Sequence, residues 1–127
     1  MSPEQVIERT AAMVKYASKY TSNIEFSCED AMRSDPDFLV RVCDAAIKNG
    51  AKVLNIPDTV GYTTPNEMRA MIEYLIKNVP NSDKVEFSVH CHNDLGMAVA
   101  NALGGVLGGA LQIECTVNGL GERAGNT

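Results

Sequence analysis

Val85-Glu86-Phe87-Ser88-Val89-His90-Cys91-His92-Asn93-Asp94 is the stretch on which the fold and the chemistry of this chain are decided. Its first half alternates polar and apolar side chains, the pattern of a strand with two unlike faces. It also holds both histidines of the chain, two residues apart. Side chains at i and i+2 of a strand project from the same face. His90 and His92 therefore stand side by side, and Cys91 turns to the opposite face. Two imidazoles so placed can take adjacent positions on a metal ion, at nitrogen–metal distances of about 2.0–2.2 Å. Taken alone, a bare His-x-His is more often two ordinary polar residues at a strand end. The residues around the pair decide between the two.

Working outward, the same strand-then-helix unit recurs on both sides. Upstream, Lys52-Val53-Leu54-Asn55-Ile56 reads as a strand that runs into Pro57-Asp58-Thr59. Thr64-Pro65-Asn66-Glu67 is a capping box with proline in the first turn, and its helix carries an apolar stripe of Met68, Met71, Ile72, Leu75 and Ile76. Before that, Ile24-Glu25-Phe26-Ser27-Cys28 reads as a strand that runs into Glu29-Asp30. Ser34-Asp35-Pro36 opens the helix after it, with Phe38, Leu39, Val42, Cys43, Ala46 and Ile47 as its stripe and Asn49-Gly50 as its end. Ser2-Pro3-Glu4-Gln5 opens a first helix that places Val6, Ile7, Met13, Val14, Ala17 and Tyr20 on one side. Downstream of the histidines, a helix from about Leu95 to Gly108 is rich in Ala and Gly. Interior glycine costs roughly 1 kcal/mol relative to alanine, so small residues there point to a close neighbour. Leu111-Gln112-Ile113-Glu114-Cys115-Thr116 is a fourth strand, and Val117 to Thr127 follow it.

The order is α-(βα)3-β. Strands alternating with helices imply parallel strands joined by right-handed crossovers. An open doubly wound sheet and a (β/α)8 TIM barrel both satisfy that rule. A barrel takes about 250 residues, and this chain has 127. It starts on a helix and stops just past a strand. The expected fold is therefore α/β, the C-terminal half of a (β/α)8 TIM barrel. Residues 1–127 would form a partial catalytic domain without its N-terminal half-barrel or any C-terminal regulatory region. A flavodoxin-like domain competes less well, because it would open on a strand.

Composition narrows the function classes. Hydrophobic residues make up 45% of the chain, enough for a packed core and too many for a disordered one. The formal net charge is -5 and no Lys/Arg cluster occurs, so neither nucleic acid nor an anionic membrane is the expected partner. There is no secretory signal and no apolar run of bilayer length. The four cysteines form no C-x-x-C pair. They read as reduced thiols, mostly buried, in a cytoplasmic protein.

The unusual polar residues gather at the carboxyl ends of the strands. Glu29 and Asp30 follow the first, Asp58 and Thr59 the second, His90, His92, Asn93 and Asp94 the third, and Asn118, Glu122, Arg123 and Asn126 the fourth. That end is where barrels build their active sites. Helix capping could account for Asn93, Asp94 and Asp35, but not for the whole set. Gly119-x-Gly121-x-x-x-Gly125 matches neither a dinucleotide fingerprint nor a phosphate loop. Its spacing suits a tight loop with positive φ angles. It suits equally a loop whose backbone approaches a ligand, with the Asn126 amide oxygen as a hard donor beside the imidazoles.

Four segments together resemble the 2-isopropylmalate synthases, within a wider family of metal-dependent barrel acyltransferases and lyases. They are residues 24–31 (IEFSCEDA), 55–62 (NIPDTVGY), 90–101 (HCHNDLGMAVAN) and 118–126 (NGLGERAGN). The Gly-Glu-Arg-Ala-Gly-Asn ending favours the synthases over the lyase and carboxyltransferase branches, with homocitrate and citramalate synthases as close alternatives. The resemblance implies a divalent metal (Mn2+, Mg2+ or Zn2+) held by His90, His92 and Asn126. A fourth ligand, an aspartate of an Asp-x-x-x-Arg-Asp segment, has no counterpart here, and neither does that segment's arginine. It implies condensation of acetyl-CoA with 2-oxoisovalerate in leucine biosynthesis, with Thr59 binding the substrate carboxylate. Glu29 would position substrate or assist proton transfer, unless a neighbouring arginine merely holds it. Glu122 and Arg123 would pair with each other and shape the last loop. A chain lacking the aspartate and the arginine is expected to be inactive alone. The cut edges of a half-barrel would favour self-association, so a homo-oligomer, or a non-catalytic half-barrel that binds metal weakly, is the other expectation.

Overall fold

A computed structural model describes all 127 residues. The helices are α1 (Pro3–Ala17), α2 (Pro36–Lys48), α3 (Pro65–Asn78) and α4 (Ala98–Leu107), and the strands are β1 (Glu25–Ser27), β2 (Val53–Asp58), β3 (Glu86–Cys91) and β4 (Gln112–Glu114). The strands form one sheet in the order β1-β2-β3-β4, and every pair is parallel. The α-(βα)3-β order expected from the sequence is the order observed. No helix is long and apolar enough to cross a membrane.

The local signals act as chemistry predicts. Ser2 and Gln5 make a reciprocal capping box at the start of α1. Asp35 accepts from the Phe38 N–H at 2.9 Å and caps α2. The Glu67 carboxylate accepts from the backbone N–H and the hydroxyl of Thr64, at 2.9 and 2.7 Å, at the start of α3. Several element boundaries differ from expectation. Helix α1 ends at Ala17, and Met13 and Tyr20 of its expected stripe are 51% and 74% exposed. The reason is that α1 packs chiefly along α2, so the side of the helix turned away from it stays open. Helix α4 begins at Ala98, three residues later than Leu95, because Gly96 sits at φ 72° and the Asn93 side chain accepts from the Ala98 N–H at 3.1 Å. Strands β1 and β4 are shorter than read, at three residues each, because as edge strands each has a ladder on one side only.

A single core of 21 buried residues fills the space between the sheet and the helices. Period-two alternation sends Leu54 and Ile56 of β2 and Phe87, Val89 and Cys91 of β3 into it, and all are nearly or fully buried. Three of the four cysteines are buried and all four are free thiols. The other face of the sheet is polar. There the Gln112 amide donates to Glu25 at 2.7 Å and to Ser88 at 3.1 Å, and the Asn55 amide donates to Ser27 and to Glu114, both at 3.0 Å. Strands of a parallel sheet covered on both faces usually read as continuous apolar runs. These strands are apolar toward the helices and hydrophilic toward the side where a barrel would have its interior.

The small residues of α4 are explained by contact. A Cβ on Gly105 would come within 2.7 Å of Val89, and one on Gly104 within 2.4 Å of the Pro65 carbonyl oxygen that opens α3. Alanine in place of glycine would favour the helix by about 1 kcal/mol. The clash at Gly104 is with backbone, which cannot turn away like a side chain, and overpacking costs about 1–3 kcal/mol. Gly104→Ala should therefore lower the urea unfolding midpoint without changing the slope of the transition. An unchanged or higher midpoint would show that α3 yields to α4.

Candidate metal centre

The C-terminal end of β3 carries the two imidazoles on the polar face, with ring centroids 5.1 Å apart and planes inclined by 42°. His90 lies in register between Pro57 of β2 and Glu114 of β4. Its Nδ1 is 2.6 Å from Glu114 Oε2. His92 is 92% buried by its surroundings, 8% exposed, and its Nδ1 has no hydrogen-bond partner. Burial, followed by the nearby charges of Arg123 and His90, holds the His92 imidazole below its ordinary pKa. It is thus kept neutral, the form that can donate a lone pair to a metal. Cys91, between them, faces the core, where burial pushes its thiol up to about 12. It is no nucleophile.

The segment after β4 folds back over the end of β3 and brings Asn126 to His92. Thr127 N–H donates to the Cys91 carbonyl at 3.1 Å and Asn93 N–H to the Gly125 carbonyl at 2.9 Å, and His92 and Asn126 form an isolated antiparallel bridge. Asn126 Nδ2 points at the Leu120 carbonyl, 3.5 Å away. Its Oδ1 is buried and makes no hydrogen bond.

Glu29, Thr59, His90 and His92, all singled out from the sequence, line one open cleft of about 280 Å³ together with Ser27, Asn55, Pro57 and Glu114. Thr59 Oγ1 accepts from the Asp30 N–H at 3.0 Å, which leaves its hydroxyl proton free to donate. Glu29 is exposed at the cleft wall. The arginine that could have held it, Arg33, instead grips Asp30 through contacts of 2.6–3.1 Å. That pairing keeps the Asp30 carboxyl below its usual range. Asn126 lies beside His92 and is not part of the cleft wall.

The remaining strand-end acids are architectural. Asp58 is fully buried and accepts from the Gly61 N–H at 3.1 Å, the Thr63 N–H at 3.3 Å, the Thr63 hydroxyl at 3.1 Å and the Asn101 amide at 3.4 Å. It shapes the loop that carries Thr59. Arg123 does not chiefly pair with Glu122, which is 3.6 Å away. Its guanidinium forks onto Asp94 at 2.8 and 3.0 Å and donates to the Thr59 carbonyl at 2.7 Å. The last loop is therefore tied to the ends of β2 and β3 rather than to itself. The Arg123 side chain also keeps the Asp94 carboxyl below its usual value.

Sequence reasoning missed Glu114, Asn55 and Ser27. The signal was present, since Glu114 and Asn55 occupy alternate positions on their strands that match the phase of His90. The inter-strand register was needed to use it. Burial and the neighbouring Glu114 push the Glu25 carboxyl above its usual range, whereas the nearby Glu25 carboxyl, His90 and Asn55 hold Glu114 below its own.

No three His, Cys, Asp or Glu side chains converge in this structure. A divalent cation here would need the amide oxygen of Asn126 as its third protein donor. The observed atoms suit that task. Asn126 Oδ1 and His92 Nδ1 are buried without partners, and the His90 ring has one nitrogen engaged by Glu114. Buried polar atoms left unpaired cost free energy, and a bound cation is one way to satisfy them.

The whole chain, residues 1–127, matches the family profile described as HMGL-like. It is 62% identical over 126 residues to a 2-isopropylmalate synthase of Nitrosomonas europaea and 64% identical over 127 residues to one of Halothermothrix orenii. Those alignments cover 99% and 100% of this chain, which spans about a quarter (25%) of the length of either relative. Among solved structures, the HMG-CoA lyase of Brucella melitensis superposes with a TM-score of 0.75 at 21% identity, over 95% of this chain and 46% of that one. The hydroxymethylglutaryl-CoA lyase of Pseudomonas aeruginosa gives 0.69 at 24% identity, over 90% and 39%. These structures share the fold, and the sequence motifs agree with it from one end of the chain to the other. The chain belongs to the HMGL-like family.

Proposed function

We propose that this chain is the part of a 2-isopropylmalate synthase that contributes His90, His92 and Asn126 to a divalent metal centre, with Mn2+, Mg2+ or Zn2+ as the ion. The observation that carries the reading is the pair of imidazoles at the end of β3, with Asn126, whose side-chain oxygen has no partner, bridged through its backbone to His92. The identity of about 60% to curated synthases supports the substrate assignment, acetyl-CoA and 2-oxoisovalerate.

The bound cation would supply Lewis-acid polarisation of the keto group. The chain's own residues do the rest of what this part can do. Thr59, whose hydroxyl proton is free, donates to the carboxylate of the 2-oxo acid. Glu29, exposed at the same cleft, stands to position acetyl-CoA or take the methyl proton. The lowered pKa of His92 favours the neutral ring, whose one free lone pair can go to the metal. No Asp-x-x-x-Arg-Asp segment occurs in this chain, so one metal ligand and one cation near the keto oxygen must come from elsewhere. The location is read as cytoplasmic, as for a reduced-thiol biosynthetic enzyme.

A second property has its own support. Val99, Leu103 and Leu107, on one side of α4, and Leu111 and Leu120 beyond it are exposed. Apolar surface of that kind together with two unpaired sheet edges favours association with another copy. Sedimentation is expected to show dimers or larger species at high concentration, and a strict monomer would remove this reading.

Calorimetric titration with Mn2+ tests the main proposal. The chain should bind in the micromolar range, and His90→Ala/His92→Ala should abolish the binding. Equal heats for both proteins would sink the assignment. A separate assay follows release of free thiol from acetyl-CoA in the presence of 2-oxoisovalerate. The chain alone should release no more than the double variant does, and turnover above that level would show that the missing aspartate and arginine are dispensable.

A further inference from the structure

The clearest group that the catalytic reading leaves unused is Glu114. It stands on β4, directly in register with His90. Its Oε2 lies 2.6 Å from His90 Nδ1 and also accepts from the Asn55 amide at 3.0 Å. Asn55 belongs to β2, on the far side of β3, so the carboxylate reaches across the strand that carries the histidines. The Asn55 amide is itself braced by donating to Ser27 at 3.0 Å. Both partners of Glu114 Oε2 are therefore anchored on separate strands of the sheet. The contact is part-buried, with 30% of the His90 side chain and 35% of the Glu114 side chain exposed.

A carboxylate oxygen this close to Nδ1 can only accept, so Nδ1 carries the proton. In a neutral imidazole the other nitrogen, Nε2, is then the sole lone-pair donor. We propose that Glu114 is a positioning residue that fixes His90 as the Nδ1–H tautomer, holds its ring orientation through the Asn55 brace, and so reserves Nε2 for the cation. The proposal rests on the metal reading for its purpose but not for its test, because the tautomer can be observed without any metal. His92 has no such partner on either neighbouring strand, and its Nδ1 is free. The two imidazoles are thus unequal: one is aimed by a carboxylate, and the other is placed by burial.

Partners of this kind are typically worth about 10–100-fold in metal affinity. The test uses Glu114→Gln, which keeps shape and volume but can donate to Nδ1 as well as accept from it, and Glu114→Asp, which keeps the charge on a shorter stem. Long-range 1H–15N correlation spectra of the metal-free chain should show His90 as the Nδ1–H form in the parent. In Glu114→Gln the spectra should show a mixture or the Nε2–H form, while His92 stays unchanged. Mn2+ titration should then show affinity reduced about 10–100-fold in Glu114→Gln, with partial recovery in Glu114→Asp. A parent-like His90 spectrum in Glu114→Gln overturns the proposal, and so does Mn2+ affinity within about twofold of the parent. Absence of Mn2+ binding in the parent would overturn the metal reading instead, and the spectra would still judge Glu114. Should Glu114→Gln fail to fold, Asn55→Ser removes the brace alone, and an unaltered His90 tautomer population and ring mobility in it would count equally against the proposal.

Discussion

Everything at the proposed centre depends on the parallel register of β2, β3 and β4. Ser88 pairs with Asn55 and Gln112, and His90 pairs with Pro57 and Glu114. Because side chains alternate, a slip of one residue would send both histidines into the core and bring Val89 and Cys91 to the cleft. The slip is forbidden by burial. Leu54, Ile56, Phe87 and Val89 fill the layer under the helices and are nearly or fully buried. The hydrophobic face therefore fixes the position of the polar one. The same free energy that folds the chain also aims the imidazoles.

That register divides the strand-end acids into two kinds. Asp30, Asp58 and Asp94 are each engaged at hydrogen-bonding distance by a neighbouring group, and each shapes a loop. Asp58 gives the turn after β2 its form through Gly61 and Thr63, and Arg123 fastens that same turn to the last loop through the Thr59 carbonyl. Glu29 and the histidines face the cleft from the frame so made. The contrast is physical. An architectural carboxylate has its lone pairs filled from within, whereas a group meant for a ligand is held in place with an atom to spare, as His92 Nδ1 and Asn126 Oδ1 are.

Much of this was legible in the sequence because it is written locally. Capping boxes at Ser2 and Thr64, the Asp35 cap and the apolar stripes of α2 and α3 are short-range patterns, and they place the elements to within a few residues. The projection of His90 and His92 from one face needs only the two-residue period. What could not be read are pairings between segments far apart in sequence. Arg123 chooses Asp94, twenty-nine positions away, over its neighbour Glu122. Glu114 meets His90 and Asn55 only after three strands have come into register. The early start assigned to α4 failed for a local reason that composition hides. Leu95 looks helical, but its N–H donates to the Gly61 carbonyl at 3.2 Å, and Gly96 turns the chain before the helix begins.

The glycine pattern of the last loop shows why two readings of one motif need not compete. Spacing alone left a tight turn and a close approach to a ligand equally open. Gly125 sits at φ 99°, and a Cβ there would meet the Gly119 carbonyl oxygen at 2.2 Å, so the turn requires glycine. Gly121 is needed for a different reason, since a Cβ there would fall 2.1 Å from the Asn126 amide nitrogen. The glycines let the backbone close on itself tightly enough to seat one amide. With Nδ2 turned toward the Leu120 carbonyl, Oδ1 is left on the other side of the group without a partner. The turn and the ligand approach are thus one device: the loop is tight so that Asn126 can be brought to His92 with its oxygen free.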